Sequence, residues 1–152
     1  MIKVYAFELK GKQGYIRIEL TEVLGFPKET SYLGGYDVKG KIEIKSGNYY
    51  VKDAELWFST GQIYEFYKQL LKCYKELKGI INFQNPDSSE LKLAIEFTGL
   101  GQFTIYGSFQ EYFSKDDFLQ FAFESEQSYL TSTLAELKEI VDFYGGNKGI
   151  IK

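Results

Sequence analysis

Apolar and polar residues alternate with a period of two through the first third of the chain. In residues 15–24 and 38–45, for example, Ile or another apolar residue follows almost every charged one. A period of two places successive side chains on opposite faces of a strand, so each run predicts a strand with one buried face. Gly and Asn residues at 11–14 and 46–48 predict tight turns, and the runs together predict an antiparallel meander of four strands that ends near Phe58.

The period changes to 3.6 residues after Ser59, which predicts a helix over residues 60–78. Its apolar stripe consists of Ile63, Phe66, Leu70, Cys73 or Tyr74, and Leu77. Ser59 and Gln62 have the spacing of a capping box, in which each side chain bonds the backbone N–H of the other residue. Gly79 is the predicted end of this helix.

Strand-like alternation returns in the second half of the chain, and a second helical stripe closes it. The predicted strands cover 80–84, 90–97, 103–109 and 118–124. The second helix is predicted over 126–144, with Ser125 as its cap, Gly145 and Gly146 as its end, and Leu130, Leu134, Leu137, Val141 and Tyr144 as its stripe. The predicted fold is therefore α+β, with about eight strands in largely antiparallel sheet and the order four strands, helix, four strands, helix.

Length and composition predict one globular domain over residues 1–152. The chain is 44% hydrophobic and 26% charged, which is ordinary for a folded domain. No window approaches the run of about 20 apolar residues that a membrane-spanning helix needs. The single Cys73 cannot form an internal disulfide, and the start of the chain does not have the pattern of a secretory signal. We therefore expect a cytoplasmic protein that has no contact with a membrane.

The absence of histidine excludes most catalytic and metal-binding constellations. Ser-His-Asp, Cys-His and zinc-His sites all need this residue, and the chain has none. Cys73 lies on the apolar stripe of a helix and is expected to be a core residue. Asp116 and Asp117 are adjacent acids in a turn-like segment, where two solvated charges are expected. We therefore expect no bound metal or cofactor, and an enzyme that uses carboxylates or Tyr alone would need acids that converge in a cleft.

Two further classes of binding site are disfavoured by charge and spacing. The net charge is -3, and Arg17 is the single arginine among 18 basic residues, which are interleaved with acids. Nucleic acids are bound by clustered Arg and Lys, so nucleic acid is not an expected partner. The Gly99–Leu100–Gly101 segment precedes a strand and not a helix, so it is interpreted as a turn and not as a phosphate-binding loop.

Aromatic residues provide the candidate binding surface. The chain has 13 Tyr and 13 Phe, and tyrosine is enriched at protein interfaces because it combines large area with few rotors. Trp57 shares a strand phase with acids and is either an exposed anchor or is covered by the helix that follows. The residues that we place off the core, as candidates for binding a partner, are Tyr36, Asp37, Tyr49, Tyr50, Asp53, Glu55 and Trp57.

Three segments resemble the WapI-like bacterial immunity proteins, and the resemblance covers nearly the whole chain. The segments are Gly34–Asp37, which enters a strand, Glu55–Gly61, which leads into the first helix, and Leu119–Ser128, which precedes the last helix. Glu126 departs from the pattern, because many relatives carry Asp at this place. The resemblance implies a cytoplasmic antitoxin that binds and blocks the toxic C-terminal domain of a cell-surface polymorphic toxin, without catalysis.

An acidic chain rich in Tyr suits the capture of a basic nuclease domain, because complementary charge accelerates association. A small-ligand binding module is the alternative, in which the aromatic-rich sheet encloses an apolar pocket. A deep cavity would favour this alternative over an immunity protein.

Overall fold

The computed structural model describes residues 3–85, 88–111 and 117–150, and it confirms the predicted α+β fold and element order. Two antiparallel sheets of four strands each follow the chain without crossovers. The first sheet comprises β1 (Tyr5–Lys10), β2 (Gly14–Val23), β3 (Asp37–Ser46) and β4 (Tyr49–Ser59), and α1 (Thr60–Glu76) follows it. The second sheet comprises β5 (Gly79–Asn85), β6 (Ser88–Gly99), β7 (Gln102–Phe109) and β8 (Leu119–Glu126), and α2 (Leu130–Tyr144) closes the fold.

The apolar phases of both sheets and of both helices form one hydrophobic core. Phe83 of β5 shows how the layers meet, because its ring lies 6.2 Å from those of Phe7 in β1 and Phe58 in β4. The ring of Phe66 in α1 lies 5.4 Å from the ring of Phe83. The two sheets therefore share their core with α1, and their outer faces are left for other contacts.

The first helix begins as predicted and ends earlier than predicted. The capping box is present, because Gln62 N donates to Ser59 Oγ at 3.2 Å and Ser59 N donates to Gln62 Oε1 at 3.3 Å. The predicted stop at Gly79 is wrong: Leu77 adopts a left-handed backbone (φ 57°) and its N–H donates to Cys73 O at 2.7 Å. Cys73 is buried as predicted, and burial raises the pKa of its thiol.

The second helix begins later than predicted. A 3-10 turn over Gln127–Tyr129 precedes α2, so the predicted start at 126 and the predicted cap at Ser125 are wrong. Ser125 is buried and donates to the carbonyl of Lys10 at 2.6 Å, which fastens the end of β8 to the β1–β2 hairpin. The predicted end is confirmed, because Gly145 caps α2 with a φ of 81°.

The buried stripe of α2 is rotated slightly from the predicted one. Leu137 is fully buried, and Ile140 is a core residue that the predicted stripe did not include. Leu134 and Val141, which were predicted as core residues, are only partly buried and pack against the margin of the core. Neighbouring residues of a helix are about 100° apart around its axis, so a small difference in how the helix docks on the core exchanges one buried residue for the next.

Helix α2 also covers the open edge of β1. Thr133 Oγ1 donates to Glu8 O at 2.5 Å, and Glu8 N donates to Glu136 Oε1 at 3.1 Å. These two bonds replace those that a neighbouring strand would make, so this edge of the first sheet is not available for pairing. Burial raises the pKa of the Glu136 carboxyl at this position.

Two of the segments that carry the family resemblance meet in what we call the Gly35 junction, formed by Gly34, Gly35, Tyr36, Thr60 and Gly61. Tyr36 N donates to Thr60 Oγ1 and Thr60 N donates to Tyr36 O, both at 2.8 Å. Gly61 N donates to Gly34 O at 3.2 Å. The junction therefore joins the start of β3 to the start of α1 through backbone groups that lie in close contact.

Candidate functional site

The outer face of β4 carries most of the predicted binding residues. Ala54, Leu56 and Phe58 point into the core, and Asp53, Glu55 and Trp57 are exposed on the opposite phase, as predicted. Trp57 is 38% exposed, so the alternative in which it is buried under the following helix is wrong. An exposed Trp on a strand is a rigid side chain of large area, which is typical of an interface anchor.

We use the name β4 patch for five exposed residues of this strand, Tyr49, Tyr50, Asp53, Glu55 and Trp57; Lys52 is exposed on the same strand. Tyr49 is 69% exposed and Tyr50 is 48% exposed at the end of the strand near the β3–β4 turn. At a rise of roughly 3.3 Å per residue, Tyr50 and Trp57 lie roughly 20 Å apart along the strand. The outer face thus presents Tyr50 at one end, Trp57 at the other and two carboxylates between them, whereas Tyr49 lies on the alternate phase of the strand beside the turn.

The other two predicted residues are placed differently. Tyr36 is fully buried, so the prediction that it lies off the core is wrong. Its hydroxyl donates to Pro27 O at 2.9 Å and accepts from Ile150 N at 3.0 Å, which makes it a structural residue of the Gly35 junction. Asp37 is partly buried at the first position of β3, opposite Ser59, where its carbonyl accepts from Leu24 N at 2.9 Å.

A β-bulge in β4 includes Asp53. The β3–β4 register shifts so that Ile42 pairs with Ala54 and Ile44 pairs with Val51, and two residues of β4 therefore oppose Glu43. Asp53 adopts a φ of 54° within this bulge, a left-handed conformation that Asp tolerates better than most residues. Bulges bend a strand locally and are frequent beside functional sites, and this one lies at Asp53, at the end of the regular exposed phase that Asp53 shares with Glu55 and Trp57.

Two tyrosines and one carboxylate form a hydrogen-bonded group next to the patch. Tyr15 of β2 and Tyr50 of β4 both donate to Glu43 Oε2, the bond from Tyr50 being 2.5 Å long. The hydrogen bonds from Tyr15 and Tyr50 lower the pKa of the Glu43 carboxyl, and the bond to Glu43 raises the pKa of the Tyr15 hydroxyl. Tyr50 is therefore held in one orientation, with its ring exposed on the surface.

The lowered pKa of Glu43 can be tested directly. We expect a pKa below that of an ordinary glutamate in a carbon-detected NMR titration, because the folded state favours the charged form. Tyr15→Phe should raise this pKa towards the ordinary value, whereas Tyr106→Phe, which removes a hydroxyl bonded to Glu96, should leave it unchanged. Since the folded pKa is depressed, the associated stability is present above the unfolded pKa and is lost as pH falls through the folded pKa. A Glu43 that titrates normally in the wild-type protein would contradict this arrangement.

Lysines accompany the acids of the β4 patch. Lys39 Nζ lies 3.4 Å from Glu55 Oε1, and Trp57 Nε1 donates to Glu55 Oε2 at 3.3 Å. Lys41 pairs with Glu55 across the strands, and Glu111 accepts from Glu55 N at 3.2 Å. The patch is therefore a surface of mixed charge, and the charge of Glu55 is partly neutralised by Lys39.

Sequence reasoning missed Tyr15, Glu43, Lys39 and Glu111. The first three lie on the polar phase of their strands, and an explicit alignment of the two hairpins would have placed Tyr15 and Glu43 on neighbouring strands. Glu111 is in the connection between β7 and β8, and no local pattern predicts that this connection reaches β4. Contacts of this last kind depend on how the two sheets pack.

The structure does not favour the small-ligand alternative. The aromatic rings that could line an internal pocket contact each other in the core, as the rings of Phe7, Phe58, Phe66 and Phe83 do. A cleft of about 360 Å³ lies on the surface between the end of α1 and the start of β5. It is lined by Gln69, Lys72, Cys73, Glu76, Lys78, Gly79 and Ile80, of which three are charged.

The remaining features considered are the acidic pair Asp116–Asp117, groups of metal ligands and membrane-spanning helices. Asp116 of the predicted acidic pair lies outside the described residues, so the pair is not placed. Among the residues that the structure describes, no group of three or more Cys, Asp or Glu side chains is arranged to hold a metal ion. Within the same residues, no helix is long and apolar enough to cross a membrane.

Comparison with known proteins gives one match. A family model described as the immunity protein WapI-like family matches residues 7–145. The matched range includes the three resembling segments, all five residues of the Gly35 junction and the whole β4 patch. Neither the curated proteins nor the solved structures include a significant match to the chain.

Proposed function

The chain belongs to the WapI-like immunity protein family, and on this basis we propose that it binds the toxic C-terminal domain of a cognate polymorphic toxin. The proposed binding takes place in the cytoplasm of the producing cell and neutralises the toxin by occlusion, without catalysis. An inhibitor of this kind needs a rigid surface and enough buried area, about 1,600 Å² in an interface of standard size.

The single observation that supports a binding surface on β4 is the exposure of Trp57 beside ordered carboxylates. A Trp that is 38% exposed in the free protein can lose further apolar area when a partner covers it. Its indole N–H already bonds Glu55, so the ring is oriented before the partner arrives. Anchors that are ordered in advance lose little conformational entropy on binding.

The proposed partner is a basic domain, such as a nuclease. The net charge of the chain is -3, and Asp53 and Glu55 are both exposed on the patch. Lys39 and Lys41 reduce the local negative charge, so attraction between the whole molecules is expected to affect the association rate more than the affinity. Asp37 lies at the end of the same strand pair and is a peripheral member of the proposed surface.

The test is to measure binding of patch variants to the toxin domain encoded beside the gene for this chain. Trp57→Ala should increase the dissociation rate about tenfold or more, because truncating an anchor typically costs over about 1.4 kcal/mol. The double charge reversal of Asp53 and Glu55 to Lys should mainly slow association and weaken its dependence on salt. Surface plasmon resonance at two salt concentrations separates the two effects.

Tyr32→Ala is the matched control, because Tyr32 is an aromatic residue that is 86% exposed and lies outside the patch. The free energy of unfolding of Tyr32→Ala should lie within about 0.5 kcal/mol of the wild-type value, as exposed substitutions usually do. Binding of the patch variants is compared under conditions in which urea unfolding shows that they are folded. A folded Trp57→Ala protein that binds the toxin domain as tightly as wild type would remove the β4 patch from the proposal.

A further inference from the structure

The tip of the β6–β7 hairpin carries a leucine with an unfavourable backbone conformation and a fully exposed side chain. Gly99 pairs with Gln102, so Leu100 and Gly101 are the two central residues of the turn, and their φ angles are 54° and 80°. Positive φ at both central positions defines a type I′ turn, which favours Asn, Asp and Gly. Leu100 is also 100% exposed.

Folding does not explain a leucine at this position. The left-handed conformation is disfavoured for Leu because its Cβ approaches the following carbonyl oxygen. Full exposure means that the side chain gains nothing from burial in the core. Asn at this position would cost less free energy, because it tolerates the left-handed backbone and its polar side chain is solvated. Residues that are held in unfavourable backbone conformations cluster at functional sites.

The turn is held in place from the side. Gln127 N donates to Gly101 O at 2.7 Å, which ties the tip to the 3-10 turn before α2. Thr98 Oγ1 donates to Gln102 O at 3.2 Å across the base of the tip. These bonds fix the backbone of the turn and therefore the direction in which the Leu100 side chain leaves it, so the backbone needs little ordering when a partner binds.

The surroundings of the tip are polar. A cleft of about 270 Å³ begins beside it and is lined by Lys12, Thr98, Gln102, Phe103, Thr104, Glu124 and Ser125. Gln102 pairs with Glu126 on β8, and both lie next to the turn. A single projecting apolar side chain within a polar ring has the form of an interface anchor surrounded by a rim.

We propose that Leu100 is a binding anchor that inserts into an apolar pocket on a protein partner. The proposal rests on the proposed function, and the partner is then the toxin domain. A protein pocket fits better than a membrane surface, because one leucine supplies little of the apolar area that membrane binding needs. The two acids beside the tip, Glu124 and Glu126, also outnumber the one lysine there, Lys12, and disfavour anionic headgroups. Leu100 would be a point of contact separate from the β4 patch.

The test compares stability and affinity in Leu100→Asn, using urea unfolding and calorimetric titration with the toxin domain encoded beside the gene. The Kd should rise about tenfold or more, as for other truncated anchors, while the urea midpoint stays equal or increases. Leu100→Met, which keeps an apolar side chain, should bind within about threefold of wild type, because Leu and Met are close in volume. Val4→Asn is the control, since Val4 is 58% exposed and precedes the end of β1 that lies opposite Lys10, the residue that contacts β8.

Each alternative result has a separate meaning. An unchanged Kd in Leu100→Asn, with wild type binding the toxin domain, would overturn the anchor and leave the proposed function standing. A Kd that rises together with a lowered urea midpoint would also overturn it, because Leu100 would then serve the fold. Leu100-dependent binding to phosphatidylglycerol vesicles would overturn the choice of a protein partner. If wild type fails to bind the toxin domain, the proposed function is wrong and the anchor proposal falls with it.

Discussion

Replacing Gly35 with Ala is expected to destabilise the protein by about 2 to 5 kcal/mol. A Cβ at Gly35 would lie too close to Thr60 Oγ1 and to Gly61 N, and it would come within 3.1 Å of Gly61 Cα. Two of these three atoms belong to backbone, so the conflict cannot be relieved by rotating a side chain. The φ of 66° adds the cost of a left-handed conformation to the cost of overlap.

Gly47→Ala separates these two costs. Gly47 has a φ of 60°, close to that of Gly35, and nothing lies within 4 Å of the position of its missing Cβ. It should therefore lose only the conformational part, about 1 to 2 kcal/mol. Urea unfolding of the two variants gives the difference. Equal losses at the two positions would show that close packing at the Gly35 junction contributes nothing to stability.

Replacing Leu137 with Ala is expected to cost about 2 to 5 kcal/mol of unfolding free energy. Leu137 has no exposed surface and lies on the face of α2 that packs on the shared core. Truncation removes apolar contacts and leaves a cavity that neighbouring side chains cannot fill without shifting. The loss should appear in both thermal and urea unfolding.

Leu134→Ala on the same helix is the matched control, because Leu134 is only partly buried and packs at the margin of the core. The chemical change is identical, and the smaller loss of buried area should give a clearly smaller loss of stability. If the two variants are equally stable, the observed face of α2 is not the face that stabilises the fold.

Two of the segments that carry the family resemblance meet at the Gly35 junction, where their residues stabilise the fold. Tyr36, Thr60 and Gly61 are buried in the Gly35 junction, whereas Glu55 and Trp57, which precede them on β4, are exposed. At this junction the resembling segments therefore contribute to the fold. The choice of a particular toxin is expected to depend on exposed residues such as those of the β4 patch, because specificity is a difference in affinity among partners.

The sequence by itself determined the elements and the faces that they bury. Strand and helix periods are local properties, and they predicted eight strands, two helices and the buried phase of β4 correctly. The capping box of α1 was equally predictable, because Ser59 and Gln62 are three residues apart. No information about distant parts of the chain was needed for any of these.

Only the tertiary structure decided which residues off the regular pattern are buried or exposed. Tyr36 was predicted on the surface, but the ends of three separate segments close around it at Pro27, Thr60 and Ile150. Ser125 was predicted as a cap, but its hydroxyl is used by Lys10 on another sheet. The physical reason is the same in both cases: a polar group bonds whichever partner the packing of distant elements brings near, and a local period does not contain that information.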